Sequence, residues 1–183
     1  MKGIKVNSIM KESSTFEQVQ AFHEVFNQPK NTSPTALVPQ EALHRAAFST
    51  EEILEFLYAS VKGDLSSFEK IVFQWEQSVV KTITKIKMEN KEVKSTLVGQ
   101  VDALIDANYF NYGSFVLMGV DPRPISTIVH EANMGKRFPD GKPHYRISDG
   151  KVLKPKDWEQ LYAPEKKIKT EIERQIKEKR GNI

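Results

Sequence analysis

The stretch VGQVDALIDANYFNYGSFVLMG, residues 98–119, contains only two charged side chains, Asp102 and Asp106, among apolar and aromatic residues. Its length and composition predict a largely buried helix. Because the aspartates are four residues apart, a helix places both carboxylates on one face. Like charges in apolar surroundings repel each other and are costly to desolvate. A divalent cation is therefore the simplest candidate to hold them there.

Two alternative roles for this aspartate pair stay open. The carboxylates could form a half-exposed acidic edge, or they could pair with Lys and Arg side chains of the basic C-terminal region. The segment is also long enough to suggest a membrane span, but its polar residues Gln100, Asn108 and Asn111 and the two aspartates argue against one.

Length and composition predict one domain over residues 1–163 with a charged helical extension over residues 164–183. The chain has no cysteine, which excludes a disulfide framework and a thiolate metal site and suits a reducing cytoplasm. We expect no signal peptide, because the first 14 residues lack a continuous apolar core.

Charge is unevenly distributed. Residues 1–135 carry 13 Lys and Arg against 16 Asp and Glu, whereas residues 136–183 carry 14 against 8. A basic C-terminal region could bind nucleic acid or a phosphorylated small molecule. The alternation of its basic residues with Glu171, Glu173 and Glu178 and the lack of an aromatic array argue against nucleic acid.

The spacing of apolar residues predicts an all-α, multi-helix bundle with a loop-rich basic C-terminal region and a C-terminal helix. We expect a short hairpin near Asp149 and Gly150. The isoleucines at 168, 172 and 176 form a narrow stripe that suits packing on a neighbouring helix or a second subunit. Five of the predicted helices cover residues 15–27, 40–62, 92–118, 122–135 and 165–180. A further helix, the third in the chain, is predicted to begin at residue 65, and its last apolar position is residue 86.

The second predicted helix carries three carboxylates, Glu51, Glu52 and Glu55, whose spacing puts them on roughly one face. Facing Asp102 and Asp106, Glu52 and Glu55 would form an oxygen-rich cage suited to Mg²⁺ or Mn²⁺. A competing interpretation is structural, since Ser49 and Glu52 match the spacing of a capping box at a helix N-terminus.

Here the sequence resembles the all-α nucleoside triphosphate pyrophosphatase superfamily, which includes MazG proteins, dimeric dUTPases and phosphoribosyl-ATP pyrophosphohydrolases. The Glu-Glu-x-x-Glu motif of that superfamily is matched at residues 51–55, and the aspartate of its Glu-x-x-Asp motif is matched by Asp106. The motif's glutamate falls on Ala103, so Asp102 is the candidate replacement. The interval from Glu55 to Asp102 is longer than usual, which implies an enlarged intervening helix.

A second region is similar to the phosphoribosyl-ATP pyrophosphohydrolase-like branch. The similar segments are YFNYG (109–113), HEANMGK (130–136), DGKP (140–143) and DGKVLK (149–154). With the acidic motifs, the resemblance covers roughly residues 16–158.

The resemblance implies hydrolysis of a nucleotide between its α- and β-phosphates to a monophosphate and pyrophosphate, in a homodimer or higher homo-oligomer. It implies Glu51 as general base and Mg²⁺ or Mn²⁺ held by Glu52, Glu55, Asp102 and Asp106. The implied substrate contacts are Tyr109, Asn133, Lys136 and Arg137. Ordinary structural roles remain open for these four: a core aromatic, a helix-end cap and solvated basic residues.

Other chemistries lack sequence support. The four histidines match no zinc spacing, and neither a P-loop nor a Gly-x-Gly-x-x-Gly pattern occurs. A non-catalytic helical module that binds nucleotides or a partner protein stays as the alternative, because the family glutamate is missing at Ala103.

Overall fold

The computed structural model of the protein describes residues 13–147 and 150–181. Within these residues there are helices and no β-strand, which confirms the all-α prediction. The helices, in chain order, are α1 (Thr15–Val25), α2 (Pro39–Ser60), α3 (Leu65–Glu89), α4 (Thr96–Met118), α5 (Pro122–Met134), α6 (Trp158–Tyr162) and α7 (Glu165–Gly181).

The described residues fall into two compact units. The first lies within Met1–Thr32 and Asn108–Ile183, and the second is Ser33–Ala107. Helix α4 contributes its first half to the second unit and its second half to the first. The predicted division at residue 163 remains a prediction.

The core of the first unit forms where α1 packs against α5. Phe26, just after α1, is fully buried and stacks on Phe22 with ring centroids 4.2 Å apart. Two polar contacts fix this packing: the buried Gln18 amide donates to Thr127 Oγ1 at 3.0 Å, and the Tyr145 hydroxyl donates to the Phe26 carbonyl at 2.6 Å. Buried polar groups therefore have partners here, as a stable core requires.

A short helix, α6, closes one side of this core. Its first residue, Trp158, is buried, and the indole Nε1 donates to the Ala132 carbonyl of α5 at 2.8 Å. The Lys154 ammonium lies 3.6 Å from the centre of the Trp158 ring. Sequence patterning predicts only a polar loop in this region, because a five-residue helix is too short to produce an amphipathic period.

Helix α7 packs against α5. The buried Gln175 side chain accepts from the Asp121 backbone N–H at 2.8 Å and donates to the Asp121 carbonyl at 2.9 Å. Ile168 and Ile172 are half-buried, whereas Ile176 is exposed. Helix α7 does lie against a neighbouring helix of the same chain, and packing of the isoleucine stripe on a second subunit stays a prediction.

The second unit contains a helical hairpin formed by α2 and α3. Its turn uses left-handed backbone at Lys62 and Gly63, and Asp64 then caps α3 by accepting from the Ser67 N–H at 2.8 Å. Tyr58 and Phe68 pack edge to face across the hairpin, with ring centroids 5.2 Å apart. Glycine suits the positive φ of +77° at position 63.

None of α2, α3 and α4, helices of 22, 25 and 23 residues, contains a buried residue. The prediction that residues 98–119 form a largely buried helix is therefore wrong for the single chain. Leu104 and Ile105 are more than half exposed, as are most of the larger apolar side chains of α4. Among the described residues, no surface buries these apolar side chains.

Helix boundaries differ from the predictions where local polar groups intervene. α4 begins at Thr96 rather than residue 92, because Ser95 Oγ accepts from the Val98 N–H at 3.4 Å and starts the helix there. α3 ends at a left-handed Asn90, and α1 ends at Val25 because Asn27 adopts a positive φ. Asparagine tolerates this conformation better than most residues.

The predicted hairpin region contains an antiparallel bridge between Tyr145 and Val152, and Gly150 has a φ of +70°. Asp149, the other predicted turn residue, lies outside the described residues. No helix in the described part of the chain is both long and apolar enough to cross a membrane.

The Asp121 cap of α5 generates a stability prediction. Its carboxylate accepts from the Arg123 backbone N–H at 3.0 Å and pairs with the Arg123 guanidinium, which lowers the pKa of Asp121 to about 2. We expect Asp121→Ala to lower the free energy of unfolding by about 1 kcal/mol at pH 7 through loss of the cap. Thermal or denaturant unfolding measures this change.

The matched control is Asp157→Ala, because Asp157 precedes α6 without a side-chain capping bond. It should change stability less than Asp121→Ala does. A group whose pKa is lowered by folding stabilises the folded state at pH values above its ordinary pKa. This stabilisation is lost as the pH falls through the folded-state pKa. The difference in the free energy of unfolding between wild type and Asp121→Ala should therefore be largest above pH 4 and become smaller towards pH 2. An equal difference at both pH values would contradict this assignment.

Candidate active site

The α2 carboxylates Glu51, Glu52 and Glu55 lie in the helix interior, and all three are exposed. The capping-box alternative is wrong, because α2 begins ten residues before Ser49. The Ser49 hydroxyl instead donates to the Arg45 carbonyl at 3.3 Å. The glutamate side chains make no hydrogen bond or ion pair with any other described residue. They are therefore available for a ligand.

The α4 carboxylates Asp102 and Asp106 are also exposed. Within residues 13–147 and 150–181, neither aspartate is in an ion pair or accepts a hydrogen bond. In the described residues, Asp102 and Asp106 form an exposed acidic edge. Its neighbours along the helix are exposed apolar residues rather than the polar residues of an ordinary solvated edge.

One copy of the chain does not bring the two carboxylate groups together. Among the described residues, no three acidic or histidine side chains are grouped closely enough to hold a metal ion. α2 packs mainly against α3. The predicted cage of Glu52, Glu55, Asp102 and Asp106 therefore stays a prediction that one chain does not complete.

A polar contact joins the segment before α2 to α4. The Gln100 side chain of α4 accepts from the Leu37 N–H and donates to the Leu37 carbonyl, both at 2.9 Å. At 1.5 Å per residue, Glu52 lies about 20 Å along α2 from Pro39, whereas Asp106 lies about 9 Å along α4 from Gln100. The two acidic groups thus lie at different distances from their shared tether.

In the first unit, the structure does bring together two predicted substrate residues, Asn133 and Lys136. The Lys136 ammonium donates to Asn133 Oδ1 at 2.7 Å at the C-terminal end of α5, and both side chains are half-buried. Arg137 follows and is exposed. Tyr109 is 77% exposed, so the alternative of a core aromatic does not hold within one chain.

Close packing against α6 positions the segment of Asn133 and Lys136. A Cβ added at Gly135 would lie 2.3 Å from the Tyr162 ring, so only glycine fits at this position without displacing that ring. Beside it lies an open cleft of about 290 Å³. The lining residues include Met134, Arg137, Phe138, Asp157, Leu161 and Tyr162.

The loop after α5 contains a polar pair that the sequence patterns do not indicate. Asp140 Oδ2 lies 2.8 Å from His144 Nε2, and the His144 ring stacks on Phe138 with centroids 4.0 Å apart. The hydrogen bond from His144 lowers the pKa of Asp140. Histidine spacing in a sequence can indicate a zinc site. An interval of four residues in a loop, such as that from Asp140 to His144, does not predict a hydrogen bond between the two side chains.

Comparison with known proteins places these features in a family. Residues 19–133 match the phosphoribosyl-ATP pyrophosphohydrolase family, a span that includes both acidic groups and ends at Asn133. A search of curated proteins gave no match. A crystal structure of a candidate NTP pyrophosphohydrolase from Exiguobacterium sp. 255-15 is similar, with 36% identity and a TM-score of 0.83. The similarity covers 92% of this chain and 99% of that chain.

The family match extends over more than half of the chain, and the structural similarity extends over nearly all of it. Both agree with the acidic motifs and the helical architecture. The chain therefore belongs to the phosphoribosyl-ATP pyrophosphohydrolase family and is a hydrolase that acts on phosphoric anhydrides.

Proposed function

We propose that the protein is a Mg²⁺-dependent nucleotide pyrophosphohydrolase, with Mn²⁺ able to substitute. Its substrate is a nucleoside triphosphate, a deoxynucleoside triphosphate or a related nucleotide. The observation that carries this proposal is the set of five exposed carboxylates without partners among the described residues, all within the span that matches the family. Carboxylate oxygens that have no partner are free to bind a hard cation such as Mg²⁺.

In the proposed reaction, water attacks the α-phosphorus and the bond from that phosphorus to the oxygen bridging the β-phosphate breaks. Pyrophosphate leaves, and the nucleoside monophosphate keeps the oxygen of the water. Glu51 accepts the proton of the attacking water as general base. Phosphoryl-type transfer at a polyanion depends mainly on positioning and charge neutralisation, so few further groups are needed.

Glu52, Glu55, Asp102 and Asp106 would hold the metal ion. Four carboxylates form an all-oxygen donor set, which fits Mg²⁺ or Mn²⁺ and does not fit a thiolate-seeking ion. When bound, such a cation neutralises phosphate charge and orients the pyrophosphate leaving group.

The remaining substrate contacts follow from charge and position. Lys136 and Arg137 contribute positive charge for the phosphates. Asn133, whose amide oxygen already orients the Lys136 ammonium, keeps its NH₂ group for a phosphate or ribose oxygen. Tyr109 offers an exposed ring for contact with the nucleoside.

The proposed active form is a homodimer or a higher homo-oligomer. The single chain exposes 15,907 Å² of accessible surface. A folded monomer of 20.9 kDa is expected to expose about 9,000 Å². Helices α2, α3 and α4 contain no buried residue, and association of copies would cover part of their surface.

The metal-ligand assignment predicts that Glu52→Gln and Asp106→Asn each reduce pyrophosphate release by at least about 100-fold, because each removes charge that stabilises the transition state. The assay measures pyrophosphate from a panel of common and modified nucleotides with Mg²⁺ or Mn²⁺. Glu69→Gln on α3 is the matched control, an exposed glutamate outside the proposed site, and should keep wild-type activity.

Release of no pyrophosphate from any nucleotide in the panel by the wild type would contradict the proposal. Calorimetry with the same nucleotides then distinguishes the alternative: tight binding without product identifies a nucleotide-binding module.

The oligomeric state generates a separate prediction. Light scattering coupled to size exclusion should give a mass of twice the 20.9 kDa chain, or a higher multiple, at assay concentration. The physical reason is the cost of leaving the apolar side chains of α4 in water. A mass of 20.9 kDa for an active sample would contradict the proposed assembly.

A further inference from the structure

The cleft beside Gly135 is lined by two segments of the first unit, residues 134–141 after α5 and residues 155–162 around α6. Its volume of about 290 Å³ is at the lower end of the range for small-molecule sites, so it suits one flat ring system better than a whole nucleotide. We propose that this cleft binds the base of the nucleotide substrate and that guanine is the base it prefers. This inference rests on the proposed function and names the base of its substrate.

Two aromatic rings that line the cleft, those of Phe138 and Tyr162, are held by contacts with neighbouring residues. The Phe138 ring stacks on His144 with 4° between the ring planes, and the Phe138 N–H donates to the Lys142 carbonyl at 3.0 Å. The Tyr162 ring packs closely against the Gly135 backbone. Rings that are fixed before binding give contact area at a low cost in entropy, and the faces of nucleobases stack on such rings.

Two side chains of opposite charge, Arg137 and Asp157, also line the cleft. Both are exposed, and neither side chain makes a hydrogen bond or an ion pair with another described residue. A ligand that displaces the water around them has to replace its hydrogen bonds. The carboxylate accepts hydrogen bonds only and the guanidinium donates only, so the ligand has to present both donors and acceptors.

Guanine meets this requirement with two pairs of adjacent groups. Its N1–H and its 2-amino group lie side by side and can donate to both oxygens of the Asp157 carboxylate. Its O6 and N7 lie side by side and accept from an arginine guanidinium such as that of Arg137. Adenine, cytosine and uracil each present at most one pair of adjacent donors or adjacent acceptors. Guanine is therefore the base that can form bidentate, charge-assisted hydrogen bonds with both side chains.

The charge of the surrounding segment suits the phosphates of the same ligand. Residues 136–156 carry seven Lys and Arg against two Asp. Lys136 lies in the chain between two lining residues, Gly135 and Arg137, and its ammonium donates to Asn133 Oδ1 at 2.7 Å. Positive charge concentrated around a cleft attracts anionic ligands. A guanine nucleotide thus combines a base for the cleft with phosphates for the basic segment.

Calorimetric titration of the full chain with guanosine monophosphate (GMP), in buffer containing EDTA, tests this inference without metal or hydrolysis. We expect the wild type to bind GMP at least about 10-fold more tightly than AMP, CMP or UMP, because bidentate pairs discriminate between bases by a factor of this size. Equal affinity for the four monophosphates, or no binding of GMP, would overturn the inference. This comparison uses the wild type alone and does not depend on the folding of a variant.

Asp157→Asn is the most informative variant, because it replaces one carboxylate oxygen with an NH₂ donor. It should weaken GMP binding by about 10-fold and strengthen the binding of xanthosine monophosphate, whose 2-oxo group accepts where the 2-amino group of guanine donates. A structural role of Asp157 would weaken both ligands alike, and that result would reject the assignment. Glu159→Gln is the matched control, an exposed glutamate of α6 outside the lining of the cleft, and should bind both ligands as the wild type does.

Failure of the proposed function is distinguishable from failure of this inference. A wild type that binds GMP selectively but releases no pyrophosphate from any nucleotide would reject the proposed reaction and keep the guanine site. A wild type that hydrolyses nucleotides but binds GMP and UMP with equal affinity would reject only the guanine site.

Discussion

The feature that dominates this structure is that α2, α3 and α4 contain no buried residue and expose many apolar side chains. All of the buried residues among those described lie in the first unit, around Phe26, Ala132 and Trp158. A helix with apolar residues on every side is normally buried in a protein or a membrane. α4 has that composition apart from its aspartates and a few polar residues, and no described helix meets the requirements of a membrane span. In the proposed oligomer, a second copy of the chain would cover this helix.

In the proposed function, the same helices carry the chemistry, so assembly and activity would be linked. The carboxylates of α2 and α4 are negative and would repel each other on contact unless a cation lay between them. A ligand that binds only the assembled form stabilises that form. In the proposed assembly, hydrophobic burial would favour association, and a bound dication would offset the repulsion between the four carboxylates.

Most of the helices are predictable from the sequence because their apolar spacing and polar caps are local features. Asp64 and Asp121 cap α3 and α5 as short-range chemistry requires. Three features are not predictable in this way, for physical reasons. The five-residue α6 is stabilised by the distant bond from Trp158 to Ala132, and the Gln100 tether spans 63 residues. The exposure of α4 depends on which surfaces one chain offers, which periodicity does not encode.

The carboxylates of the candidate site can be predicted from the sequence, and this assignment stays a prediction. The spacing of Glu51, Glu52 and Glu55 and of Asp102 and Asp106 places each group on one helix face, whereas the arrangement of α2 relative to α4 comes only from the fold. A crystal structure of the protein grown with Mn²⁺, with the ion located by anomalous scattering, tests the central claim most directly. We expect manganese to be bound by the proposed ligands Glu52, Glu55, Asp102 and Asp106. Manganese bound at other residues, with these four carboxylates empty, would contradict the proposed site.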